Sequence, residues 1–112
     1  MQQKEISIMT RQEFFDLLEN IKRRPGMYLG AKSVTRLQAF LEGMLCGLSY
    51  KEKNYQIDYL QDFAKWIRKR FEVKEALSIA SILLSVDSDE EKAFDLFFFE
   101  IDKFKTEIEE IL

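Results

Sequence analysis

The residues whose types and spacing come closest to chemistry are Arg23 to Ser33, RRPGMYLGAKS. From Gly26 the chain reads G-M-Y-L-G-A-K-S. The phosphate-loop pattern is G-x-x-x-x-G-K-[ST], in which backbone amides cradle phosphates while the Lys and Ser/Thr meet phosphate and magnesium. Lys32 and Ser33 fall in register, but Ala31 stands where the second glycine belongs. The segment ahead, FFDLLENIK, has helical spacing, whereas a phosphate loop follows a strand. The apolar run ILLSVD, ending at Asp87, imitates a magnesium-holding strand but reads better as a buried helix followed by a cap. A structural turn is therefore expected from Arg24, Pro25, Gly26, Tyr28 and Gly30. Pro25-Gly26 would form the centre of a type II turn with Gly26 at positive φ, and Gly30 would allow close approach. Met27, Tyr28 and Leu29 would tuck under the fold, and Arg23 and Arg24 would hold carboxylates or helix-end carbonyls.

Other reactive side chains lead to the same conclusion. Cys46 lies among Met44, Leu45 and Leu48 and is expected to be a buried, inert thiol; as a single cysteine it cannot pair within the chain, which favours a reducing compartment. The chain has no histidine, the commonest general base and metal ligand. Adjacent acids such as Glu90/Glu91 and Glu109/Glu110 point apart on a helix and read as solvated. In KWIRKR, Lys65, Arg68 and Lys69 share the exposed side of a helix while Trp66 and Ile67 face inward, and the acids from Asp87 onward are candidates to pair with that run. No catalytic residue, metal site, cofactor or nucleic-acid partner is expected.

These residues sit on helices. Thr10 and Glu13 fit a capping box, with Met9 and Phe14 as its hydrophobic staple, and Phe14, Leu17, Leu18 and Ile21 carry the first helix to about Lys22. Ser33 caps a second helix, on which Gly43 and Gly47 are spaced to admit another helix closely. Ser49 to Gln56 reads as a loop. A third helix begins near Asp58, with Tyr59, Leu60, Phe63, Trp66, Ile67 and Phe71 on one face. A fourth, from about Lys74 to Val86, is apolar nearly all round through Ile79, Ile82, Leu83 and Val86. Ser88 and Glu91 suggest a second capping box before a fifth helix with Phe94, Phe97, Phe98, Ile101, Phe104 and Ile108 on its core face. Leu96 and Phe99 lie off that face, so the fifth helix has two apolar sides, one of which is either covered by neighbours or a contact surface. ISIM near the start is too short to argue for a sheet. The expected architecture is all-α, a compact single domain over 1–112 of about five helices.

A chain of 112 residues with 46% hydrophobic and 33% charged residues can bury a core of its own. No apolar run approaches a membrane span and the N-terminus lacks the apolar stretch of a signal peptide, so a cytoplasmic protein with no membrane partner is expected. The net charge of −3 is unevenly spread. Residues 1–74 carry fourteen Lys and Arg against nine acids, a net +5, and residues 75–112 carry three against eleven, a net −8. Such asymmetry points to a charged partner.

Two resemblances bear on function. RRPGMYLG is similar to the R-K-R-P-G-M-Y-I-G segment of type II topoisomerase ATPase subunits such as the gyrase B subunit. That likeness implies a following helix with a catalytic Glu and a magnesium-binding Asn. Here LQAFLEGMLCGLSY offers only Glu42 and no Asn, and neither the glycine-rich lid nor an Asp-x-Gly-x-Gly signature is present, so ATP binding is not expected. The second covers most of the chain, from Phe14 to Phe104. A helix ending in RPGMYLG, then S-V-T-R-L-Q-A-F-L-E-G, then D-E-E-K-A-F-D-L-F-F-F-E together resemble small bacterial immunity proteins of polymorphic toxin and contact-dependent inhibition systems. This resemblance implies a non-enzymatic protein that binds and neutralises the C-terminal domain of a cognate toxin in the cytoplasm. Charge and expected exposure place the contact surface on Asp87, Asp89, Glu90, Asp95, Glu100 and Asp102, with Phe99 as an apolar anchor. A helical adaptor or regulatory module and a degenerate nucleotide-binding module are the alternatives.

Overall fold

Thr10 opens the first helix with the expected reciprocal cap. Its hydroxyl accepts from the Glu13 amide at 3.1 Å, and the Glu13 carboxylate accepts from the Thr10 amide at 2.9 Å. Met9 packs against the core cluster that contains Phe14. The computed structural model describes residues 9–51 and 58–111. They form six helices: α1 (Arg11–Arg23), α2 (Pro25–Leu29), α3 (Val34–Lys51), α4 (Asp58–Arg70), α5 (Ile79–Val86) and α6 (Glu90–Ile111). Among the described residues there is no strand, and the architecture is all-α. Apart from Met9, ISIM lies outside the described residues, as does the 52–56 part of the expected loop; Ser49 and Tyr50 are the last turn of α3 instead.

The sixth element is the short α2, where a type II turn was expected. Pro25 occupies the first helical position, where its missing N–H costs nothing, and Arg24 closes α1 with its amide on the Asn20 carbonyl at 3.0 Å. Gly26 is helical, and the positive φ falls on Gly30 at 82°, which ends α2 with its amide on the Gly26 carbonyl at 2.9 Å. The bend is thus made by two helix ends, not one tight turn.

The core is organised around α6. Phe94, Phe97, Phe98, Ile101 and Phe104 are all buried, and α6 touches α3, α4 and α5. Phe63 of α4 lies edge-on to Phe97 and tilted against Phe104, each with ring centroids 5.4 Å apart. The first helix runs antiparallel alongside. Lys105 sits over the Phe15 ring at 4.8 Å and Lys22 over the Phe98 ring at 5.9 Å, so moving up one helix means moving down the other.

Four expectations fail. Gly43 and Gly47 are exposed, and a Cβ built on either meets nothing among the described residues within 4 Å, so none of the described helices crosses there. Cys46, on the same outer side of α3, is exposed rather than buried. The fourth predicted helix starts later, at Ile79. α4 ends in a Schellman motif, with the Val73 amide on the Arg68 carbonyl at 2.8 Å and the Glu72 amide on the Lys69 carbonyl at 3.2 Å. The next start is set by Ser78, whose hydroxyl accepts from the Ser81 amide at 3.1 Å, and by Gln38 of α3, which accepts from the Ala80 amide at 3.0 Å. Helix-favouring residues from Lys74 to Leu77 are overruled by these caps. Val86, expected in the core, ends α5 facing solvent.

Two backbone positions give a test of these helix ends. Glu72 holds φ 56° where glycine is the comfortable residue. Glu72→Gly should raise unfolding stability in urea by about 0.5–1 kcal/mol, the relief of left-handed strain less the added entropy of the unfolded chain. Gly30→Ala should lower it by about 1–2 kcal/mol, because an added Cβ would also lie 2.8 Å from the Arg36 guanidinium that donates to the Leu29 carbonyl.

Candidate protein-binding site

Asp89 begins α6. Its carboxylate accepts from the Glu91 amide at 2.8 Å and the Lys92 amide at 3.2 Å, so the cap lies one residue beyond the expected Ser88. Asp caps as well as Ser, and this choice frees Glu90 for a different partner. The Glu90 carboxylate reaches the start of α3. It accepts from the Ser33 hydroxyl at 2.8 Å, the Thr35 amide at 2.9 Å and the Thr35 hydroxyl at 2.5 Å. Ser33 in turn accepts from the Arg36 amide at 3.1 Å, as a helix cap should. These bonds, first the Thr35 hydroxyl and then its amide, hold the Glu90 carboxyl below the usual glutamate range.

One step away, Lys32 pairs with Asp95 at 3.0 Å and lies over the Phe94 ring at 5.9 Å. Lys32 and Ser33, the two residues in phosphate-loop register, are therefore both engaged by carboxylates of α6. The ammonium and the hydroxyl meet acid from the same chain where a phosphate loop would meet nucleotide.

Further along α6, Glu100 is 1% exposed and receives a two-pronged hydrogen bond from Arg70, whose Nη2 lies 3.1 Å from Oε2. The guanidinium also faces the Trp66 ring at 5.7 Å and the Phe71 ring at 5.5 Å. The Glu100 hydrogen bond raises the Arg70 pKa. Trp66 donates its indole N–H to Glu107 at 2.9 Å. Of the basic run KWIRKR, Arg70 thus meets a late acid inside the fold, while Trp66 meets another at the surface.

These placements revise the expected contact surface. Glu100 is withdrawn into the core because the flank of α6 that bears it faces α4. Glu90 is withdrawn because it joins two helix starts. Asp87 is partly enclosed and accepts from the Asp89 amide at 3.0 Å, while Asp89, Asp95 and Asp102 remain exposed. Phe99 is 57% exposed, and of the ten phenylalanines it alone is classed as exposed. With Val86, 53% exposed, it lines a shallow groove of about 340 Å³ together with Asp87, Lys92, Asp95 and Leu96. Lys103 sits over the Phe99 ring at 4.9 Å. Sequence reasoning missed Val86, which it placed in the core, and Glu91, which is exposed one turn before Asp95. The second apolar side of α6 was the signal that pointed here.

The expected turn residues divide into two sets. Leu29 is buried and Tyr28 packs edge-on to Phe40 at 6.4 Å, while Met27 is 68% exposed beside Arg23 and Arg24 instead of tucked under the fold. Among the described residues every buried side-chain nitrogen and oxygen has a hydrogen-bond partner. None of the described helices is long and apolar enough to cross a membrane, and among the described residues no three Cys, Asp or Glu side chains gather in a way that could hold a metal.

Two tests follow from the bonded carboxylates. Because the folded Glu90 pKa is depressed, its stabilisation is complete above the unfolded value of about 4.3 and fades as pH falls through the lower folded value. Glu90→Gln should lower stability at neutral pH and flatten that acid-side decline in urea titrations. For the second pair, Arg70→Met should lower the melting temperature more than Glu100→Gln. Losing the arginine strands a buried carboxylate, whereas an arginine that is 37% exposed can turn to water.

No protein-family model, no curated protein and no solved structure matches the chain.

Proposed function

We propose that this protein is a non-enzymatic immunity protein that captures and neutralises a cationic toxin domain in the cytoplasm. The observation that carries the reading is the groove beside α6, where exposed Phe99 and Val86 are bordered by Asp87, Asp95 and one cation, Lys92, with Asp89, Glu91 and Asp102 also exposed along that part of the chain. An exposed aromatic is an efficient anchor once a partner excludes water around it. The surrounding carboxylates would draw a basic surface in and suppress acidic competitors. The resemblance of the RPGMYLG, SVTRLQAFLEG and DEEKAFDLFFFE segments to immunity proteins supports the same reading.

The test is co-expression with the C-terminal domain of the protein encoded immediately upstream, which this reading requires to be a toxin. A stable complex that protects cells is expected, with association slowing as salt rises. Asp95→Asn with Asp102→Asn should slow association about tenfold at low salt, while Phe99→Ser should act mainly on dissociation. Capture that is equally fast after both acids are neutralised, or turnover of a substrate by the purified protein, would reject this function.

A further inference from the structure

The Arg23–Met27 half of the RRPGMYLG stretch takes no part in joining α3 to α6. Its side chains face solvent. Asn20, Arg23, Arg24, Met27 and Tyr28 line a depression of about 200 Å³. Arg23 is steadied by Asn20 at 2.5 Å, and among the described residues neither Arg23 nor Arg24 forms an ion pair. Two guanidinium groups beside an exposed thioether and a phenol match the composition of interface cores, where Arg, Met and Tyr are enriched. The complementary chemistry is a set of carboxylates flanking apolar side chains.

The α6 groove supplies that complement. It offers Phe99 and Val86 as apolar ground and Asp87 and Asp95 as carboxylates against a single lining cation, Lys92, with Asp102 exposed three residues beyond Phe99 on α6. The two surfaces belong to elements tied together by the Lys32–Asp95 ion pair, 3.0 Å long, since Lys32 follows α2 and Asp95 borders the groove. We infer that two copies of this chain associate, the Arg23, Arg24 and Met27 surface of each seated on the Phe99 groove of the other. In a closed two-fold pair this contact is made twice, which doubles a modest patch into a usable interface. The pairing covers the groove assigned above to a cationic partner, so self-association and capture exclude one another. The inference rests on the two surfaces alone and is tested without any partner.

Sedimentation velocity of the full chain over a concentration series, at low and high salt, should show a monomer–dimer equilibrium that weakens with salt. Arg23→Glu with Arg24→Glu, and separately Asp95→Lys with Asp102→Lys, should each weaken dimerisation at least about tenfold. An equimolar mixture of the two variants should restore it, because reversed charges then face each other. Met27→Asp, at a residue exposed enough to leave folding intact, should weaken it as well, and melting curves establish that every variant is folded. A monomer under all conditions, a dimer indifferent to both charge reversals, a mixture no better than its components, or open-ended growth in place of a dimer would each overturn the two-fold assignment.

Discussion

Everything in this fold follows from the need to bury the phenylalanines of α6 on more than one side. Phe94, Phe97, Phe98 and Phe104 are all buried, and α3, α4 and α5 pack against the helix while α1 runs antiparallel beside it. Each fully buried phenylalanine contributes about 2 kcal/mol relative to exposure. No single neighbour could cover a face that broad, so the other helices are arranged as a sleeve around this one.

An apolar stripe is indifferent to small slips along its axis, but hydrogen-bonded carboxylates, one buried and one half-buried, are not. Glu100 must meet Arg70, and Glu90 must meet Ser33 and Thr35. A slip of one turn would leave Glu100 in the core without a partner, at a desolvation cost larger than most packing differences. The two glutamates therefore set how far α6 slides past α4 and α3, while the aromatics supply most of the cohesion. Lys32 with Asp95 repeats the device at the surface, where solvent screening makes it weaker.

This internal use of charge changes what the acidic C-terminal third presents to a partner. Glu90 and Glu100 are bonded to α3 and α4 and withdrawn from the surface, so only part of the net −8 faces outward. What remains is a strip of exposed acids beside Phe99 and Val86, and it gains its character from the two apolar side chains as much as from the charge. Nearer the N-terminus Arg23 and Arg24 form no ion pair among the described residues and stand beside an exposed methionine.

By itself the sequence determined the features that depend on neighbours along the chain. The all-helical class, the Thr10 and Ser33 caps and the core stripe of α6 were all legible, because hydrogen bonds of a cap and the period of a helix span only three or four residues. The tertiary structure alone decided where α5 begins, since Gln38 of α3 supplies part of its cap. It alone decided which acids are surface and which are structure. Glu90 and Glu100 look no different in sequence from Glu91 and Asp102. Their roles are set by side chains 55 to 57 and 30 residues away, which no local pattern encodes.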